Sequence, residues 1–152
     1  MRTVFTLLIA SAALVAADPA GVVQWKGAEL KNYEKKLAPK IDAHKVATAS
    51  LGNFGNHNFM VAHREGSGEA ELHEKQADLF IVQTGEGTLI VGGTVVDPKT
   101  TEPNEIRGPS IKDGVTKHLG PGDVVHIPAK TPHQLMVDAG KQITYAVMKV
   151  NE

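Results

Sequence analysis

The sequence predicts an all-β protein: an antiparallel β-barrel or jelly roll carrying one short helix near its N-terminus. Three observations predict it. Ten short runs rich in β-branched and apolar residues follow one another from residue 46 to residue 150, divided by Gly and Pro clusters. A helical period occurs only once, between residues 27 and 37. The chain has no cysteine, so a core of this size rests on packing or on a bound metal and not on disulfides.

Met1-Arg2 is followed by an uncharged, mostly apolar run from Val4 to Ala16, and Val15-Ala16-Ala17 puts small or β-branched residues where a signal peptidase cuts. This predicts a secretory signal over residues 1–17, cleaved to leave Asp18, and an exported protein, periplasmic or secreted. The run is short for a bilayer span, so no membrane association is expected after cleavage. Without Arg2 the basic residues number 15 against 17 acidic, a net charge of −2. That balance gives no reason to expect nucleic acid or an anionic membrane as partner. The 135 residues left of 152 suit one domain. We divide them into residues 18–57, with an arm, the helix and the first strand, and residues 58–150, the barrel.

Residues 27–37 place Leu30, Tyr33 and Leu37 on one face of a helix that Pro39 ends. The strand-like runs are 46–50, 58–63, 69–73, 79–83, 88–91, 94–96, 115–119, 124–127, 133–138 and 143–150. Gly92-Gly93 predicts a two-residue hairpin, because both positions accept positive φ. Residues 97–114 are polar, hold Pro98, Pro103 and Pro109, and read as a long loop, a lid or a dimer arm. Phe59, Met60, Phe80 and Met148 read as core. His44, His57 and His118 lie in polar contexts and read as solvated. Arg64 ends a strand and reads as solvated too. His126 reads as an outward strand residue, and Gln134 points away from its neighbour His133. No Gly-rich phosphate loop and no Ser-His-Asp set stands out.

The residues with chemistry are Glu71, His73, Asp78 and His133. Glu71 and His73 are two apart, so on a strand they share a face. Asp78, five residues beyond His73, has the wrong parity for the same strand and joins them only if residues 74–77 reverse the chain. His133 comes some fifty-five residues later, presented by a loop that Pro128 and Pro132 hold. Imidazole and carboxylate donors together suit a divalent ion such as Fe, Mn, Ni, Zn or Cu.

The stretch Glu71-x-His73-x4-Asp78-x6-Gly85, with Gly122-x5-Pro128-x4-His133 downstream, resembles the two signature motifs of the cupin superfamily. These run Gly-x5-His-x-His-x3–4-Glu-x6-Gly and Gly-x5-Pro-x-Gly-x2-His-x3-Asn. The resemblance covers residues 58–150, about two-thirds of the chain. Glu71 stands where the family has its first histidine, Asp78 where it has glutamate, Lys130 where it has glycine, and Val137 where it has asparagine. Gly66 is one residue out of place. The resemblance implies an antiparallel cupin barrel with a divalent metal at Glu71, His73, Asp78 and His133. It also implies a small-molecule ligand or substrate and a homodimer. If Asp78, one methylene short, misses the ion, the set becomes two histidines and one carboxylate. The expected activity is that of a dioxygenase or an isomerase or lyase. The alternative is a periplasmic protein that binds a small ligand or the metal without turnover.

Overall fold

The computed structural model describes residues 18–152, so the expected signal segment lies outside the described residues. The predicted helix is two short ones, α1 (Gly27–Lys31) and α2 (Tyr33–Leu37), followed by a 3-10 turn (Ala38–Lys40). Asn32 interrupts them. An asparagine side chain competes for backbone hydrogen bonds and is a poor helix interior. The apolar face survives the break: Leu30, Tyr33 and Leu37 pack with Trp25 against Phe59, Val61 and Ala146.

The strands are β1 (Val46–Asn53), β2 (His57–Arg64), β3 (Ala70–His73), β4 (Gln76–Gly85), β5 (Gly87–Val91), β6 (Thr94–Val95) and β7 (Lys99–Glu102). There follow β8 (Glu105–Gly108), β9 (Ile111–Lys112), β10 (Val115–Leu119), β11 (Val124–Ile127), β12 (His133–Met136) and β13 (Ile143–Asn151). They form a five-stranded sheet in the order β1-β2-β13-β4-β11 and a six-stranded sheet in the order β10-β5-β12-β3-β8-β7. A short β6-β9 ribbon stands apart. Among the described residues every pairing is antiparallel, and no strand pairing joins one sheet to the other. The architecture is therefore a jelly roll of two facing sheets that do not close into a barrel.

Strand parity decides which side chains meet in the middle. Ala62 on β2, Phe80 and Val82 on β4, and Ile143, Tyr145 and Val147 on β13 face Leu89 on β5 and Leu135 on β12, with Ile127, Val137 and Leu119 closing the core. The alternate residues Phe59, Val61, Ala146 and Met148 point to the outer face of the five-stranded sheet, where the helices cover them. The inward rows do not stay apolar: Arg64, Asp78 and Lys149 continue them, and these charges line the interior.

Two expectations about turns are corrected. Gly92 and Gly93 do take positive φ, 74° and 68°. They do not close a β5–β6 hairpin, because β5 is already paired on both edges, with β10 and β12, and β6 pairs with β9 instead. The stretch 97–114 is not a loop. β7 and β8 form a hairpin, and β8 pairs with β3, extending the six-stranded sheet.

Candidate metal centre

The centre is assembled from cross-strand neighbours, the pairs whose side chains stand closest on a sheet face. On the six-stranded sheet His133 of β12 lies opposite Glu71 of β3, and Glu71 lies opposite Arg107 of β8. One step along, His73 lies opposite Glu105. After His73 the chain crosses to the other sheet through Glu74-Lys75, shorter than the predicted reversal, and β4 begins at Gln76. There Asp78 lies opposite Lys149 of β13. The site thus has one wall from each sheet.

All four predicted residues come together. Glu71 Oε2 lies 3.5 Å from His73 Nε2 and 3.8 Å from His133 Nε2. One donor atom from each of Glu71, His73 and His133 falls within 4.8 Å of the others. Asp78 Oδ2 is 3.3 Å from His73 Nε2 and 3.6 Å from His133 Nε2. Both Asp78 oxygens, however, accept hydrogen bonds from Lys149 Nζ at 2.9 Å. The same ammonium stands 2.9 Å from His73 Nε2.

The outer nitrogens of both histidines are engaged. His73 Nδ1 donates to Glu105 Oε1 at 2.6 Å, and His133 Nδ1 donates to the Thr131 carbonyl at 3.1 Å. Each of these acceptors selects the tautomer that leaves Nε2 with a free lone pair aimed inward. Glu71 is oriented likewise: its Oε1 faces Arg107 Nη1 at 2.5 Å and Arg64 Nη2 at 3.8 Å, which leaves Oε2 for the centre.

Proton affinities follow from these neighbours. Burial opposes charge on Asp78, but hydrogen bonds from His73 and Lys149 outweigh it and hold the carboxyl below the usual range. Burial opposes charge on His73 as well, yet the neighbouring carboxylates, Asp78 first, leave its proton affinity raised. We assign His73 the neutral form, because the 2.9 Å approach of Lys149 needs a lone pair on Nε2 and the contact to Asp78 is the longer one. Burial pushes His133 the other way and keeps it neutral.

Several of these groups carry no mark in the sequence. Glu105 and Arg107 sit in the polar stretch read as a loop, Lys149 ends an apolar strand, and only a pairing map brings them in. Arg64 is corrected as well: it is not solvated but mostly buried, beside the Tyr145 hydroxyl at 3.4 Å. Gln134 does point away, donating to the carbonyls of Gly68 and Pro109. His44, His118 and His126 are exposed, and His57 is half-buried.

The motif glycines now have reasons. Gly85 has φ 73°, and a Cβ there would fall 2.0 Å from the Gln142 carbonyl oxygen. Lys130 adopts φ 62°, the left-handed region that suits the glycine the motif asks for. Its N–H donates to the His73 carbonyl at 2.7 Å, tying this turn to the centre.

Among solved structures the chain is similar to a cupin-2 domain from Rhodospirillum rubrum, at 19% identity over 72% of this chain and 62% of that one, with a TM-score of 0.53. The fold is a cupin fold. It is also similar to the DMSP lyase DddQ from Ruegeria pomeroyi, at 16% identity, 71% of this chain, 48% of that one and a TM-score of 0.52. An oxalate oxidase in complex with glycolate matches at 13% identity, 72% of this chain, 53% of that one and a TM-score of 0.52. The cupin unit here thus spans about half the length of each of these two enzymes. No protein-family model and no curated protein matches the sequence.

The donors of this chain fit a divalent ion. Ligand atoms around one ion at about 2.1 Å stand about 3 to 3.5 Å apart; the two Glu71–histidine separations, 3.5 and 3.8 Å, come near this, and all three donors lie within 4.8 Å of one another. Among the described residues His133 Nε2 is buried without a hydrogen-bond partner, a cost of about 1 to 3 kcal/mol that a bound cation would remove. Beside the donors lies a cavity of about 200 Å³ lined by Arg64, Phe80, Arg107, Tyr145, Val147 and Lys149, among others.

Proposed function

We propose that this cupin binds or transforms a small molecule at a divalent ion held by Glu71, His73 and His133. The observation that carries this reading is the pair of inward Nε2 atoms. Each belongs to a histidine whose other nitrogen already donates outward, and both stand beside one oriented carboxylate oxygen. Two imidazoles and one carboxylate leave open positions on an ion, and such a centre supplies oxygen-activating or Lewis-acid chemistry when Fe, Mn, Ni or Zn is bound. The chain's own groups orient the ligand: Arg64 and Arg107 supply positive charge, and Phe80 and Val147 an apolar wall. This supports an enzyme of the dioxygenase or isomerase/lyase type.

A second reading, a binding protein without turnover, is favoured by Lys149. Its ammonium already satisfies Asp78, so the centre is charge-balanced before any ion arrives. We propose further that the protein is exported after cleavage behind Ala17. Among the described residues no helix is long and apolar enough to cross a membrane. Val115 on the edge strand β10 and Val124 on the edge strand β11 are exposed, and they support a homodimer.

Elemental mass spectrometry of protein purified without chelator or affinity metal, beside His73→Ala/His133→Ala, tests the site. Near-stoichiometric metal that the double variant lacks supports it. No metal above the variant's level after reconstitution overturns it. N-terminal sequencing of the fractionated protein tests cleavage at Asp18.

A further inference from the structure

Lys149 lies outside the cupin motifs, yet its ammonium reaches into the centre itself. Its Nζ lies 2.9 Å from Asp78 Oδ1, from Asp78 Oδ2 and from His73 Nε2, the last of which is also one of the three clustered donor atoms. It leaves His133 Nε2 untouched. The ammonium therefore stands on the Asp78 side of the cluster and sits where a cation would be shared between Asp78 and His73.

We propose that Lys149 sets the ligand number of this centre: it is a tethered cation that takes Asp78 out of the ligand set and competes with the ion for His73 Nε2. The inference rests on the metal reading above and adds what decides the coordination.

Three features of the site argue for it. The first is distance: an ion about 2.1 Å from His73 Nε2 cannot share that lone pair with an ammonium, so one displaces the other. The second is charge. Three carboxylates (Glu71, Asp78, Glu105) already face three basic side chains (Arg64, Arg107, Lys149) through contacts of 2.5 to 3.8 Å. A divalent ion adds two positive charges to a balanced, largely buried group, and loss of the lysine removes one of them. The third is parity. Lys149 continues the inward row of β13 that holds Tyr145 and Val147, and Asp78 continues the inward row of β4 that holds Phe80 and Val82. Both strands are held rigidly along their length, so the pair meets whenever the sheet forms. The arrangement with Lys149 in place leaves three protein ligands and open positions. Without the lysine, Asp78 Oδ2, 3.3 and 3.6 Å from the two histidine nitrogens, becomes a fourth ligand.

The test is calorimetric titration of the whole protein with Co2+ alone, together with the visible absorption of the bound ion. The variants are K149M, K149Q and K149M/D78N. K149Q keeps a donor for Asp78 in case K149M is too unstable, and circular dichroism checks that each variant folds. The expected result is Co2+ affinity in K149M and K149Q tighter than in the wild type by about tenfold or more. The Co2+ spectrum changes with the added carboxylate, the ion raises the melting temperature of K149M more than that of the wild type, and in K149M/D78N the spectral change is absent and the gain in affinity is reduced. Equal or weaker binding in both single variants overturns the inference while leaving the metal reading intact. If the wild type takes up no ion and K149M does, the inference stands and the metal reading of the natural protein falls. If neither wild type nor variants take up ion, both fall.

Discussion

The hydrogen bond from His73 Nδ1 to Glu105 Oε1 is the shortest contact either histidine of the centre makes with its surroundings, at 2.6 Å. Glu105→Gln keeps the shape of the side chain and removes its charge. An amide oxygen accepts more weakly than a carboxylate, and a charge-assisted bond of this kind contributes about 1.5 to 3 kcal/mol. The carboxylate also makes the imidazole more basic, and so a better ligand. Loss of roughly half that interaction corresponds to about tenfold in affinity, with Glu105→Ala nearer a hundredfold. Competition of the protein against a coloured chelator for Zn2+ measures this directly. Glu105 is partly exposed, so the variants remain folded, which a melting curve without metal confirms. Unchanged Zn2+ affinity in both variants would refute the reasoning, because His73 would then not need its outer partner to act as a ligand.

Asp78 predicts the behaviour in acid. Its carboxyl is held below the ordinary range in the folded protein, so its contribution is present above the unfolded value of about 3.9 and is lost as pH falls through the folded one. The melting temperature therefore drops below about pH 4, and more steeply in the wild type than in D78N/K149M, which has neither partner. Lys130→Gly relieves a left-handed backbone that costs a lysine about 1 to 2 kcal/mol, against about 0.4 to 1 kcal/mol of added unfolded-state freedom. The variant should melt higher by a few degrees in a thermal scan, and a lower melting temperature would count against the strain argument. Leu89→Ala opens a cavity at a fully buried position between the sheets, and urea unfolding should show a loss of about 2.7 to 5 kcal/mol.

Much of the fold is readable along the chain because the core strands alternate between two chemically different faces. β2, β4 and β13 each present one row to the interior and one to the helices, and β5, β10 and β11 end at Gly or Pro. β7 offers no such signal. All four of its residues are exposed, so nothing distinguishes its faces, and three prolines around it suggest a loop. The site divides in the same way. Glu71, His73, Asp78 and His133 are found from spacing, since two of them share a strand and the others follow turns. Lys149 and Glu105 are fixed by register between strands 71 and 32 residues apart, which no local pattern reports. The Gly92-Gly93 turn shows the same limit: its backbone is local and predictable, while the strand β6 pairs with depends on which edges are already taken.

The pairing of β3 with β12 has a consequence for how the molecule comes apart. An ion held by Glu71 and His73 on β3 and by His133 on β12 would act as a removable rivet between two strands of one sheet, in a chain that has no cysteine with which to make a permanent one. Its partners are distant in sequence, so the rivet closes only after those strands have paired. It would do little for the speed of folding and much for the time the folded molecule survives, because interactions absent from the transition state slow unfolding. Lys149, whose Nζ stands 2.9 Å from His73 Nε2, fastens that sheet to the other through a contact that comes with the chain and needs no supply of metal.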